Sequence, residues 1–191
     1  MAKETLRSLT SKVPEPDEAD RIMIGLHRQS DRTAAIVGAS LVESTLQELI
    51  GSAMSNKALD LPEKLFENRG PLSDFNSKIL IAQAFVLISD RMASDLQRIR
   101  RVRNCFAHAR VHVDFETPVV AREVSELAAV MAVRATEAQY APEDPFPYKS
   151  HKTSYGLSCY ITMTILQHQI KHGKRANGQP FSSKPPPPSV G

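Results

Sequence analysis

The sequence predicts an all-α bundle of roughly five or six helices, and three observations predict it. Apolar residues recur at helical spacing through most of the chain. Hydrophobic residues make up 41% of the 191 positions, but aromatics only 6% and Trp none, so the core must be aliphatic. Leu, Ile, Val, Ala and Met suit packed helices better than a sheet sandwich. Finally, the apolar runs open on Ser or Thr and are separated by Pro and Gly.

Residues 1–17 mix Lys, Glu, Ser and two prolines with little apolar content and read as a flexible arm. A single helical domain then spans 18–172. Its first, short helix carries Ile22, Met23 and Leu26. Ser30 offers an N-cap for a longer helix, from about Asp31 to Met54, on which Ile36, Val37, Leu41, Leu46, Leu49 and Ile50 form the apolar face. Pro62, Gly70 and Pro71 make 55–72 a connection with one helical turn at Glu63–Phe66.

Ser73 is the expected cap of a third helix. Phe75, Ile79, Leu80, Ala82, Phe85, Val86 and Ile88 are dense enough to place it near the centre. Ser89-Asp90 restarts the chain into a helix rich in arginine. Val111, Val113 and Phe115 then alternate with His112 and Asp114, as a short extended segment or a surface loop would.

Thr117-Pro118 marks the start of a fifth helix with face Val120, Val124, Leu127, Ala128, Met131 and Ala135, ending before Pro142. Pro142–Pro147 is a rigid connection. In 155–170, Leu157, Cys159, Ile161, Met163 and Ile165 alternate with Ser158, Thr162 and Thr164, a pattern that by itself favours a strand. A lone strand would lack a partner in a bundle. The tail, 173–191, holds Lys, Arg, Gly, Ser and a run of four prolines and reads as disordered.

Polar chemistry concentrates between Asp95 and His112. This stretch carries Arg98, Arg100, Arg101, Arg103 and Arg110 with His108 and His112, and no acidic residue stands between Asp95 and Asp114. On a helix, Leu96, Ile99, Val102, Arg103 and Phe106 share one stripe, so Arg103 points toward the buried face. A buried charge costs several kcal/mol unless paired. Glu43, near the stripe of the second helix, is a candidate partner, with a solvated glutamate as the plainer alternative. Arg100, Asn104 and His108 follow on an adjacent polar stripe.

The run Arg103-Asn104-Cys105-Phe106-Ala107-His108 resembles the Arg-x4-His signature of the HEPN superfamily of helical domains. Ser30 to Ser40, Gly70 to Ile79, and Asp95-Leu96 leading into Arg103–His108 together resemble the mannitol operon repressor (MtlR) family, over roughly residues 20–140. This resemblance implies a HEPN-like bundle, a terminal helix over 155–170, and a bacterial regulator of gene expression associated with repression of mannitol utilisation. It also implies a second reading, the metal-independent endoribonuclease of the superfamily's catalytic branch.

In that second reading His108 moves the proton of a ribose 2′-hydroxyl or of the leaving oxygen. Arg103 holds the scissile phosphate, and Asn104 orients either group. Residues five apart on a helix lie about 140° apart around its axis. One copy therefore makes a poor site, and the chemistry calls for a homodimer with both motifs in one cleft. The plainer alternative is a polar network with no turnover.

Arg98, Arg100, Arg101 and Arg110 form a candidate docking face for RNA phosphates or an acidic protein, against the ordinary reading of a solvated helix face. Cys105, His108 and His112 have a spacing that suggests zinc, but a fourth ligand is missing and the chain turns extended near His112. His168 and His172 read as a polar helix end. We therefore expect no metal and no cofactor.

The net charge of +3 is modest and no helix-turn-helix, zinc finger or basic zipper is visible, which argues against sequence-specific DNA reading. Two distant cysteines in apolar segments and the lack of an apolar leader or a membrane-length run suggest a cytoplasmic protein. The leading expectation is a dimeric MtlR-like regulator acting through protein or RNA contact.

Overall fold

The computed structural model describes residue 14 and residues 16–54, 61–67, 69–132 and 150–176. Most of the expected arm, Ala135, the Pro142–Pro147 connection and the tail beyond Ala176 lie outside these residues. The described elements are helical: α1 (Pro16–Gly25), a 3-10 turn (Leu26–Arg28), α2 (Asp31–Ala53), α3 (Leu61–Phe66), α4 (Phe75–Ala84), α5 (Asp90–His108), α6 (Pro118–Ser125) and α7 (His151–Ala176). Residues 128–132 are also helical, and no strand occurs among the described residues.

Side-chain caps set three of the starts. Ser30 accepts from the Thr33 N–H ahead of α2, Asp74 from that of Ser77 ahead of α4, and Ser89 from that of Met92 ahead of α5. The cap of α4 is thus Asp74, not Ser73. Its carboxylate also takes the Ser77 hydroxyl, and this bond, followed by the one from the Ser77 N–H, holds Asp74 below the usual aspartate range.

The long α2 is the spine. Asp31 meets Lys152, the Ala35 carbonyl accepts from the Tyr155 hydroxyl at 3.1 Å, and Gly38 lies against Tyr155 and Cys159, so α7 runs parallel to α2. A Cβ on Gly38 would sit 3.3 Å from Leu26 Cδ1 and 3.5 Å from Cys159 Sγ; the missing side chain lets the helices close. Helix α5 runs the other way, its end meeting the start of α2 and its middle the centre of α2. Leu96, Ile99, Val102 and Phe106 are buried as the stripe requires. Phe106, Phe115 and Tyr155 stack in series, with centroids 4.8 and 5.2 Å apart.

Two expectations need correction, on α4 and on the fifth helix. Helix α4 ends at Ala84 instead of running toward Ile88, and Leu80, Phe85 and Val86 are exposed, so its apolar surplus is not all core. Of the two readings of 111–115 the structure has the loop, with Val111 exposed and Phe115 drawn into the core. The face expected on one fifth helix is broken after Ser125, and Met131 is exposed. Residues 155–170 are helical, as the resemblance implies and against their strand-like alternation, and lie within α7, which continues past Gly173 to Ala176.

Candidate functional site

Three helices deliver charged side chains to one place. Glu43 of α2 accepts from Lys78 of α4 at 2.8 Å through Oε1, and from Arg103 of α5 at 3.0 Å through Oε2. The Lys78 side chain is 7% exposed, Glu43 18% and Arg103 27%, so the pair to lysine lies deep and the arginine nearer the surface. Lys78 shares its helix face with Phe75, Ile79 and Ala82. A lysine on an apolar stripe needs a carboxylate, and that was the sequence signal for a residue our reading of the motifs passed over.

Asn76, Gln97 and Arg100 form a second hydrogen-bonded series between α4 and α5. Asn76 accepts from Gln97 at 2.9 Å, and Gln97 accepts from Arg100 Nε at 2.9 Å. Arg100 and Asn104 are half-buried, and Asn104 makes no side-chain hydrogen bond among the described residues.

Arg98 and Arg101 lie elsewhere on α5. Arg101 donates to both Glu123 oxygens at 3.2 and 2.9 Å, whereas Arg98 reaches Glu123 at 3.1 Å and also Glu126. Burial raises the Glu123 carboxyl, but the hydrogen bonds and charges of Arg101 and Arg98 outweigh it and leave the group below the usual glutamate range. Arg98, Arg100, Arg101 and Arg110 are therefore not one free face. Arg98 and Arg101 tie α5 to α6, Arg100 leans on Gln97, and Arg110 is exposed beyond the helix end.

His108 is the last residue of α5, exposed and without a side-chain hydrogen bond among the described residues. Within one chain it does not meet Arg103, whose guanidinium is turned to Glu43. His112 has left the helix and stands beside Asp114 at 3.6 Å, away from the line of Cys105 and His108. No group of three or more His, Cys, Asp or Glu side chains among the described residues could hold a metal ion. The rings of His168 and His172 lie 4.3 Å apart near the end of α7. Burial pushes the Cys159 thiol up to about 12, which makes it a core group rather than a nucleophile. Among the described residues no helix is long and apolar enough to cross a membrane.

No family model matches the chain, and no curated protein matches it. Among solved structures, the fold is similar to the crystal structure of a possible transcriptional regulator, YggD from Shigella flexneri, with a TM-score of 0.62 at 15% identity. The match covers 78% of this chain and 97% of that one. The fold is shared.

Proposed function

We propose that this chain is an MtlR-like helical regulator of gene expression, working in the cytoplasm as a homodimer through protein or RNA contact rather than by reading DNA sequence. The observation that carries the reading is the engagement of Arg103 by Glu43, with His108 apart from it at the helix end. An arginine held by a carboxylate between helices serves architecture first, as a polar network without turnover requires. The three motif blocks that resemble the MtlR family support it, as does the fold shared with a possible transcriptional regulator.

The endoribonuclease alternative keeps one foothold, because His108 is exposed and a second copy could bring another Arg103 to it. One experiment separates the two. Transcripts of a strain lacking the gene are profiled after complementation with wild type or His108→Ala, and the purified proteins are incubated with mixed single-stranded RNA in EDTA. A regulator restores the same limited set of transcripts in both complemented strains and leaves the RNA whole. RNA fragments ending in 2′,3′-cyclic phosphate, made by wild type and not by His108→Ala, would establish the nuclease in its place.

A further inference from the structure

The chain holds six histidines. Four of them have no second imidazole beside them: His27 meets the Ile24 carbonyl and the Arg28 Nε–H, His151 meets Glu116, His112 stands beside Asp114, and His108 ends α5. His168 and His172 instead lie four apart near the end of α7, so the helix brings them to one face. Their ring centroids are 4.3 Å apart, with the planes tilted by 37°. Both residues are exposed, turned away from the buried Tyr155, Cys159, Met163 and Leu166 of the same helix. No hydrogen bond or ion pair among the described residues occupies their nitrogens.

Imidazole is a borderline nitrogen donor that suits zinc, nickel and copper, and not the oxygen-seeking magnesium or calcium. With zinc–imidazole bonds of about 2.0–2.1 Å, two nitrogens on one ion stand roughly 3.3 Å apart. Rings whose centres are already 4.3 Å apart reach that spacing by rotation about their own side-chain bonds, without backbone movement. Residues 151–176 contain no Asp or Glu, so α7 adds no carboxylate and the remaining positions fall to water. We infer that His168 and His172 together chelate one divalent transition ion of the zinc, nickel or copper class, in an open site with two protein ligands. Their spacing in the sequence reads only as a polar helix end, with no metal expected; the convergence of the two rings is what the fold adds. The inference stands apart from the regulatory reading and uses no residue of α5.

The test titrates full-length protein with zinc chloride by calorimetry and follows the imidazole signals of all six histidines by NMR. Zinc should move the His168 and His172 signals first and leave those of His27, His108, His112 and His151 in place, and excess magnesium should not compete. His168→Ala and His172→Ala should each weaken zinc binding at least about tenfold, because loss of even an outer partner of a metal ligand costs that much. His112→Ala should leave it unchanged. His168→Ala combined with Gln167→His keeps six histidines but sets the pair five apart, about 140° around the helix axis, and should not restore binding. Circular dichroism verifies that each variant is folded.

The absence of both heat and shifted imidazole signals at up to about 1 mM zinc overturns the inference. So does zinc binding that survives His172→Ala, or zinc that moves the His108 or His112 signal as far as those of the pair. Full binding by the variant with the pair five apart overturns it too, since the number of imidazoles and not their register would then hold the ion.

Discussion

Lys78 and Glu43, separated by 35 residues in the chain, meet at 2.8 Å where α4 crosses α2, and the lysine is almost entirely removed from water. Removing one member of a buried pair strands the other charge, whereas replacing both by apolar groups of similar size restores a satisfied interior. Glu43→Ala should therefore cost about 3–5 kcal/mol. Glu43→Leu combined with Lys78→Met should recover part of that loss, because Lys78 is no longer stranded and only Arg103, nearer the surface, is left without its carboxylate. Urea unfolding of the three proteins checks this, and a double variant as unstable as Glu43→Ala would show that the pair is not the source of the loss.

Arg32 offers a second test. Its Nη2 donates to the Ala109 carbonyl at 2.9 Å, placing a cation at the C-terminal end of α5, where carbonyls lack helical partners. Its neighbour Asp31 accepts from the Phe115 N–H at 3.1 Å and meets Lys152 at 3.2 Å. These adjacent residues pin the end of α5, the loop after it and the start of α7. Arg32→Ala should cost about 1 kcal/mol and raise hydrogen exchange first in the last turn of α5. Unchanged exchange there would remove the capping role.

The signals that were legible in the sequence are those that act locally. Ser30 and Ser89 cap the helices they precede, the α5 stripe is buried, and Glu43 lies against Arg103 because a stripe arginine demands a carboxylate. The strand-like alternation of 155–170 is compatible with the terminal helix because hydroxyls can be buried on a helix. Ser158 donates back to the Ser154 carbonyl at 2.8 Å, and Ser158 and Thr162 are buried among the apolar residues of α7. The pairing of Arg98 and Arg101 was not legible for a different reason: their partner Glu123 lies on the next helix and only the fold brings it in. Lys78 was hidden inside an apolar run whose length suggested a longer helix than α4.

Acid should act on Asp95 with the opposite sign to the capping Asp74. Burial raises its carboxyl above the ordinary value of 3.8, although the Ala128 N–H and the charges of Arg91 and Arg98 oppose that shift. A carboxyl raised in the folded state disfavours folding while ionised, and the penalty disappears as pH falls through the folded value and then the unfolded one. Asp95→Asn keeps an acceptor for the Ala128 N–H and removes the charge. The variant should be at least as stable as wild type at neutral pH, with the difference closing below about pH 4. Melting temperatures across that range decide it, and a gap that widens in acid would reverse the sign. Asp74, lowered by its Ser77 bonds, behaves conversely: its contribution is present above pH 3.8 and lost as pH falls through its folded value, so Ser77→Ala should narrow its gap to wild type in acid.

The turn between α4 and α5 stores strain that can be released. Val86 has φ of 56° and is 85% exposed, so a β-branched side chain occupies the left-handed region with little packing to justify it. Its N–H still bonds the Gln83 carbonyl at 2.9 Å, and that of Leu87 the Ala82 carbonyl at 2.8 Å, which fixes the sharp exit from α4. Glycine takes this conformation without the Cβ penalty but adds entropy to the unfolded chain, while asparagine tolerates it at a smaller entropic cost. Val86→Asn should therefore stabilise the protein by about 1 kcal/mol, and Val86→Gly by less. Ala or Ile at this position should give no gain. Thermal unfolding of the four variants checks the order, and a loss of stability in Val86→Asn would mean that the exposed valine is held by a contact worth more than its strain.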